Sequence, residues 1–392
     1  IAKYCNTRIQ ELIDSVHPPD PTMIDLFCGA GGLSLGFTHE GFSVSLANDI
    51  EPCCIDTYSH NHPETPRKHI VLGDINHVIA NIQELLRFKD VDVVVGGPPC
   101  QGFSMAGARI RNGAFLDDPR NYLFKHYVNI VKIVRPKMFI LENVKGILTM
   151  QKGEIFNEIL KTFSDKTLFN GDKYYLHYKV VRAVEFGIPQ KRERVVLIGM
   201  LNTDFDIDLM FEEVKKQINI NNPHFFEPVS VWEAISDIET PTESGLTTLL
   251  EPTTSYQKAL RCGCTVTTNH IATEHNKRSC KRMKQIQEGE NWVKLNEPIH
   301  SVHSGAYGRL EKDKPAATIT TRFDTPSGGR FIHPVADRTI TPREAARLQS
   351  FPDNFEFVGT KSSVCKQIGN AVPPKLSYFL ANLVKYALYE NN

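Results

Sequence analysis

The chain has 392 residues, of which 41% are hydrophobic and 23% charged. That is the usage of a folded globular protein and excludes collagen-like, low-complexity and largely disordered chains. Lysine plus arginine equals aspartate plus glutamate at 45 each, so net charge does not announce a nucleic-acid partner, although a balanced total can conceal a local excess.

The first two hundred residues read as strands alternating with helices. Met23–Cys28 is a short apolar run that stops at Gly29-Ala30-Gly31-Gly32, and a helical pattern with Leu33, Leu35 and Phe37 follows. Phe42–Ala47 is a second strand ending in Asn48-Asp49, and Ile70–Leu72 a third ending in Gly73-Asp74-Ile75. Asp92–Val95 is a fourth and runs into Gly96-Gly97-Pro98-Pro99-Cys100. Lys137–Leu141 is a fifth, ending in Glu142-Asn143-Val144, and Val195–Met200 a sixth. Helices are predicted over Tyr122–Val134 and Ile155–Phe163. Near-continuous apolar strands separated by helices predict an α/β fold with a parallel sheet covered on both faces. Nearly every strand delivers a polar or reactive residue at its C-terminal end, the edge where open α/β sheets bind ligands.

After about residue 203 the texture changes. Residues 240–330 hold many Thr, Ser, Gly and Pro and few long apolar runs, which predicts a separate, smaller, loop-rich, β-containing domain. Within it, residues 258–284 carry seven Lys or Arg and one Glu, either a solvated basic face or a phosphate-contacting stripe. Helical patterns return at Pro342–Gln349 and Pro374–Tyr389. No run approaches the roughly 18 apolar residues of a membrane span. Residues 1–20 lack the apolar core of a secretory signal. Nine cysteines without such a signal point to reduced thiols in a cytoplasmic protein.

Two stretches carry chemistry. Gly29–Gly32 follows a strand and opens a helix, so backbone can approach a ligand closely there. Asp49 lies twenty residues after Gly29, at the end of the next strand, where a carboxylate takes ribose hydroxyls. Asp74 is placed to bind an adenine amino group. Ser34 replaces the third glycine of the dinucleotide fingerprint, which favours a nucleoside cofactor without a pyrophosphate, such as S-adenosylmethionine. The second stretch is Pro98-Pro99-Cys100-Gln101, a thiol past a buried strand on a backbone stiffened by two prolines. A buried structural cysteine is the commoner fate of a thiol, but this one is flanked by Gly and Pro. A polar loop, Gln101–Arg120, follows it and carries Arg109, Arg111 and Arg120; long loops of this kind are usually functional lids. Glu142 at a strand end beside a nucleophile suits a general acid if burial raises its pKa. Gln190-Lys191-Arg192-Glu193-Arg194 is either a solvated turn or a base-fixing arginine pair.

Taken together these motifs resemble the cytosine-5 DNA methyltransferase family of the bacterial restriction-modification type. Asp25–Gly32 resembles its first motif, Asn48-Asp49 and Gly73-Asp74-Ile75 its second and third, and Gly97–Ser104 its catalytic motif. Glu142-Asn143-Val144 and Gln190–Arg194 match two more, Arg338–Gln349 with Ser350-Phe351-Pro352 resembles the ninth, and Gln367–Val372 the tenth.

The resemblance implies a Rossmann-like, S-adenosylmethionine-dependent methyltransferase domain over 1–202, completed by a C-terminal segment, 359–392, that packs back on it. It implies a target-recognition domain over 203–337 and a hinge over 338–358. It implies that the Cys100 thiolate attacks C6 of a flipped cytosine, that Glu142 bonds N3 and the exocyclic amine, and that Arg194 binds O2 with Arg192 supporting the pocket's charge. Phe27, Gly29, Ala30, Gly32, Asp49, Ile50, Asp74, Ile75, Pro99, Leu123 and Asn370 would hold the cofactor, Ile50 giving an apolar adenine contact where the family often has an aromatic one. Gln101, Ser104, Arg109, Arg111 and Arg322 would meet DNA, with Thr318–Arg322 and Thr325–Gly329 as candidate groove-reading loops. Cys262, Cys264, His270, His275 and Cys280 match no standard zinc spacing, so no metal is expected. The expected partners are double-stranded DNA and, acting on the same site without a stable complex, a cognate restriction endonuclease; a monomer in the cytoplasm, associated with the nucleoid through DNA, is expected. An RNA cytosine methyltransferase and a catalytically silent DNA-binding homologue stay open as alternatives. A nicotinamide oxidoreductase would use the glycine loop but leaves Pro98–Gln101 unexplained.

Overall fold

The computed structural model describes residues 20–86, 90–99, 122–295, 299 and 304–390. Seven strands, β1 (Thr22–Leu26), β2 (Ser43–Asp49), β3 (Ile70–Leu72), β4 (Val93–Gly96), β5 (Met138–Val144), β6 (Tyr174–Arg182) and β7 (Glu193–Leu201), form one sheet in the order β3-β2-β1-β4-β5-β7-β6. The pairs among β1–β5 are all parallel, and β7 runs antiparallel to both of its neighbours. The fold is therefore α/β with a mostly parallel sheet, as the strand–helix alternation predicts.

Three details differ from the sequence reading. Strand β6 is absent from it, and Val195–Met200 is consequently the core of the seventh strand, not of the sixth. β6 lies at the sheet edge with only Tyr174 and Val181 buried, so His, Lys and Arg interrupt the apolar run that marks a central strand. β2 runs on through Asn48 and Asp49, and β5 through Glu142 to Val144. Their polar residues stay in the ladder because side chains supply partners, as where Asn48 donates to the carbonyls of Val71 at 2.9 Å and Gly73 at 3.0 Å.

Period-two alternation decides which side chains face which layer. Val93 and Val95 of β4, and Val196 and Ile198 of β7, face one core with Phe37, Phe211 and Phe379. Val94, Val195 and Leu197 face the other with Tyr127, Phe139 and Phe163. Helices α1 (Gly32–His39), α2 (Pro52–Asn61), α3 (Ile75–Leu86), α4 (Tyr122–Val134), α5 (Glu154–Ser164) and α6 (Ile207–Asn221) connect the strands or follow them. Tyr127 of α4 donates from its hydroxyl to the carbonyls of Val94 and Ile140, both at 3.0 Å, so its buried oxygen is satisfied.

The middle of the chain holds α7 (Val231–Ile235), β8 (Thr247–Thr248), α8 (Ser255–Arg261), β9 (Val266–Thr267) and α9 (Lys277–Gln285). Among the described residues its strands are only the short β8–β9 pair and isolated bridges, less β structure than predicted. Many of its Ser and Thr residues cap helices or close turns: Ser230 and Thr254 each form a capping box. The packing also crosses the predicted boundary at 337. Val231, Tyr256, Ile319 and Phe323 share one core with Leu348, Phe351, Ile368 and Ala30 of the glycine loop.

The segment 338–358, which the resemblance makes a hinge, is deeply packed. All seven residues of α10 (Pro342–Leu348) are buried. Glu344 closes a capping box with Thr341 and takes a two-pronged ion pair from Arg338 at 2.7 and 2.8 Å. Arg347 grips Asp353 at 2.6 and 2.7 Å and Asp237 at 2.9 Å. Arg343 donates to the carbonyls of Thr268, Pro352 and Phe355. Buried charges persist only when paired this fully. Beyond α10 come α11 (Lys361–Asn370) and α12 (Pro374–Lys385). α12 lies so close to α1 that a side chain at Gly36 would collide with the Ser377–Tyr378 backbone, and Ser377 donates to the Leu33 carbonyl. Through these contacts α12 packs against α1.

Arg338 holds the Glu344 carboxyl down at about 2, against its ordinary value of 4.5 and against the opposing effect of burial. The folded value lies below the unfolded one, so this contribution to stability is present above about pH 4.5 and is lost as pH falls through about 2. Glu344→Gln is expected to destabilise the protein at pH 7 by about 3–5 kcal/mol, because Arg338 stays without its buried partner, and to flatten the stability–pH curve on the acid side. Urea unfolding between pH 7 and 3 measures both.

Candidate active site

The C-terminal edge of the sheet carries two neighbouring groups of polar residues. The first begins where β1 ends. Phe27, Gly29 and Gly31 have φ values of 57°, 54° and 92°, a left-handed stretch that turns the chain sharply into α1. Gly31 has no room for a side chain against His62 and Tyr58, and a Cβ on Gly32 would come within 2.6 Å of the Val372 carbonyl. Asp49 closes the turn from β2. Its Oδ2 accepts from the Gly29 N–H and its Oδ1 from the Glu51 N–H, both at 2.9 Å. Burial nevertheless raises its pKa, the two backbone donors opposing the rise. Asp49 is in register with Leu72 of β3. Ile50 and Leu72 leave 61% and 46% of their surface exposed, an apolar rim on an otherwise polar edge. Asp74 is exposed and held by the Asn76 backbone and side-chain nitrogens, both at 2.8 Å.

Asp25, quoted in the first motif but given no role from the sequence, stands behind this turn. It is buried, its Oδ2 accepts from Ser34 Oγ at 2.6 Å, and Ser34 Oγ in turn accepts from the Tyr58 hydroxyl at 2.8 Å. Burial lifts its pKa to about 7, and the nearby Asp49 adds to the rise. Its Oδ1 has no partner. The neighbouring Cys28 is also buried, and burial pushes its thiol well up, the state of an inert structural cysteine.

The second group lies where β4, β5 and β7 meet. Because β7 is antiparallel, its first residues and not its last reach this edge, and Val144 pairs with Arg194 in register. Arg194 Nε stands 2.9 Å from Glu142 Oε1, with both side chains mostly buried. The pair is close in charge but not aligned as a hydrogen bond, so Oε1 is a buried acceptor without a donor. A Cβ on Gly97 would come within 3.1 Å of Glu142 Oε2, so the carboxylate lies against the Gly97-Pro98 segment. Asn143 Nδ2 donates to the Pro98 carbonyl at 3.3 Å and ties β5 to that segment.

Arg192, expected to support the pocket's charge, has three backbone carbonyls as partners. Its Nη1 donates to Gly369 at 3.1 Å and Ile319 at 3.4 Å, and its Nη2 to Ala371 at 3.0 Å. Its Nε is buried without a partner. Burial and the neighbouring Arg194 lower its pKa to about 9, with Glu142 acting in the opposite direction. Gln190 stands beside it, donating to the Leu348 carbonyl and Gln349 Oε1 and accepting from the Ile319 N–H at 3.0 Å. The sequence quotes this glutamine in a motif but gives no signal of these partners, which come from segments more than a hundred residues away.

Of the other expected cofactor residues, Ala30 and Ile75 are buried in cores, Phe27 and Leu123 pack partly against one, and Pro99 and Asn370 are exposed. Asn370 ends α11, between the two residues whose carbonyls Arg192 holds. Arg322 is exposed. Cys100, Gln101, Ser104, Arg109 and Arg111 lie outside the described residues. The basic run divides: Arg261 is buried against Asp237 at 2.9 Å, whereas α9 carries Lys277, Arg278, Lys281, Arg282 and Lys284. His270 bonds Thr341 Oγ1 and the Glu239 carbonyl, His275 bonds Thr339, and Cys280 contacts the His275 carbonyl. Among the described residues no three His, Cys, Asp or Glu side chains converge as metal ligands, and no helix is long and apolar enough to cross a membrane.

The family described as C-5 cytosine-specific DNA methylase matches residues 21–385. The chain belongs to that family. It is 35% identical over 367 residues to the Type II methyltransferase M1.HphI of Haemophilus parahaemolyticus, covering 93% of this chain and 86% of the relative. It is 33% identical over 394 residues to the Type II methyltransferase M.DdeI of Desulfomicrobium norvegicum, covering 94% and 89%. Its fold matches a putative DNA modification methyltransferase encoded within an E. coli prophage, with a TM-score of 0.72 and 28% identity over 94% of this chain and 99% of that one. The enzyme is thus a C-5 cytosine DNA methyltransferase similar to those of type II restriction-modification systems.

Gly97→Ala tests whether the methyltransferase needs Glu142 where it stands. A methyl group there pushes on the carboxylate end of a side chain and on little else, so the fold is expected to survive with little change in melting temperature. Methyl transfer is expected to fall by about tenfold or more, the sensitivity of catalytic groups to small displacements. Initial rates and a melting curve on the same preparation measure both.

Proposed function

We propose that this methyltransferase adds a methyl group to C5 of a cytosine flipped out of a specific duplex sequence, through a transient bond between Cys100 Sγ and C6. The observation that carries the reading is the mostly buried Glu142–Arg194 ion pair at 2.9 Å, an acceptor and a donor held together with the carboxylate against the Gly97-Pro98 segment that leads to Cys100. A cytosine edge offers a ring nitrogen, an exocyclic amine and a carbonyl, which is the complement of that set. The target atom is inside the base stack, so the base must leave the duplex to reach the pocket.

The first group suits the family's methyl donor. Asp49 would take the ribose hydroxyls, Ile50 with Leu72 would cover the adenine, and Asp74 would meet its amino group. S-adenosylmethionine, when bound there, supplies the electrophilic methyl carbon that C5 takes. The chain's own groups make C5 able to take it. The Cys100 thiolate donates an electron pair to C6, and the displaced pair moves through the ring toward N3 and C5. Glu142 holds a proton at N3 as negative charge develops, and Arg194 stabilises O2. After transfer the C5 proton leaves to a base that no motif assigns, the C5–C6 double bond re-forms and the thiolate is expelled.

The middle segment would read the DNA. α9 presents its cations as phosphate contacts, and Thr318–Arg322 stands at the pocket's rim, with Thr318 Oγ1 donating to the Lys191 carbonyl at 2.9 Å. A cognate endonuclease acting on the same sequence is the expected biological partner.

Cys100→Ser is expected to abolish transfer while leaving DNA and S-adenosylhomocysteine binding within about threefold of wild type, as removal of a nucleophile does. A duplex carrying 5-fluorocytosine is expected to trap the wild-type protein as a denaturant-stable adduct, because fluorine at C5 cannot leave as a proton. Turnover by the serine variant, or an adduct on it, contradicts the assignment. Asp49→Ala is expected to weaken S-adenosylhomocysteine binding by about tenfold or more, the cost of about 1.4 kcal/mol or greater, with DNA affinity unchanged. Calorimetry and gel shift decide.

A further inference from the structure

The contacts of Arg192 link places that the methylation chemistry treats separately. Gly369 and Ala371 flank Asn370, the residue assigned to the cofactor, and both present carbonyls to the guanidinium. Ile319, whose carbonyl the same guanidinium reaches, is the second residue of the Thr318–Arg322 loop assigned to DNA. The loop and α11 are in direct contact: a Cβ on Gly369 would collide with the Thr320 backbone. Arg192 itself stands two residues before Arg194, the partner of Glu142. One rigid, planar, five-donor group therefore touches the loop and the cofactor-side turn at once. Its Nε is still unpartnered, so its present contacts do not use all of its donors.

We infer that Arg192 is a positioning residue through which an occupied cofactor site orders the DNA-facing loop 318–322. A ligand that fixes Asn370 fixes the Gly369 and Ala371 carbonyls, these fix the guanidinium, and the guanidinium fixes Ile319. No covalent step is involved. Coupling of this kind acts in both directions: DNA held by the loop tightens cofactor binding by the same factor. The neighbouring Gln190 accepts from the Ile319 N–H, so the two peptide groups that flank the Ile319 Cα are both held by this turn. Lysine at 192 keeps the charge but carries a point ammonium in place of the fork, and cannot reach three carbonyls from two terminal nitrogens.

The inference rests on the reading of Asn370 as a cofactor residue, and the test separates the two. Hydrogen–deuterium exchange of the full chain is followed with and without saturating S-adenosylhomocysteine, binding being checked by calorimetry. In the wild type, amides of residues 319–323 are expected to exchange about fivefold more slowly with ligand, a typical coupling factor. In Arg192→Lys the ligand is expected to bind within about threefold of wild type, yet the loop's protection is expected to vanish, as coupling through a removed group must. Thr318→Val, which cuts a loop bond but leaves the guanidinium in place, is expected to keep the protection. Failure of the wild type to bind S-adenosylhomocysteine overturns both the cofactor reading and the inference. Binding without protection of the loop, or protection that survives in Arg192→Lys, overturns the inference alone. The wild-type comparison needs no substitution, and absence of loop protection there overturns the inference even where the variant does not fold.

Discussion

The structure depends on the cost of burying a guanidinium. An arginine removed from water must find an acceptor for each donor or leave a penalty of several kcal/mol. This chain buries Arg192, Arg343 and Arg347; Arg192 and Arg343 find mainly backbone carbonyls, and Arg347 finds the carboxylates of Asp237 and Asp353 with the Ala234 carbonyl. Each such side chain is a knot that closes only when several stretches of chain are in register together. The turn before β7, the loop at 319, the end of α10 and the end of α11 come together in this way, and they are the stretches that frame the site. The same demand explains why 338–358 is so closely packed.

Topology explains why the site has two halves. The parallel strands β1–β5 send their last residues to one edge, so Asp49 and Glu142 reach it as strand ends. The reversed strand β7 brings its first residues to the same edge, and that is how Arg194 comes to face Glu142. A parallel β7 would have put that arginine at the opposite side of the sheet. Pairing of the two charges is then a matter of register, not of long side chains reaching across a gap.

The sheet and its order of strand and helix were legible in the sequence because the central strands are buried on both faces and read as continuous Val-Ile-Leu runs. So were Gly29–Gly32, Asp49 and Glu142, since a sharp turn and a strand-end carboxylate each leave a local signature. β6 was not, because an edge strand tolerates Lys and His on its open side. The shortage of strands in the middle segment was not legible either, since Ser, Thr and Gly serve helix caps and turns as readily as hairpins. The partners of Arg192 and Gln190 were invisible for a stronger reason. A carbonyl acceptor has no sequence identity, so nothing in the residues at 319, 369 or 371 names the side chain that will bind them.

The contact between α1 and α12 bears on how the protein is made. Ser377 and Leu33 are joined across 344 positions of sequence. At a synthesis rate of about 5–20 residues per second, the glycine-turn helix leaves the ribosome tens of seconds before the helix that covers it. Through that interval the face of α1 around Gly36 is bare, and the nascent chain has a sheet it can begin to assemble but no finished wall. A chaperone that shields this one face during translation would protect the polypeptide when it is most exposed to aggregation, and premature termination anywhere before α12 would release a product unable to hide it.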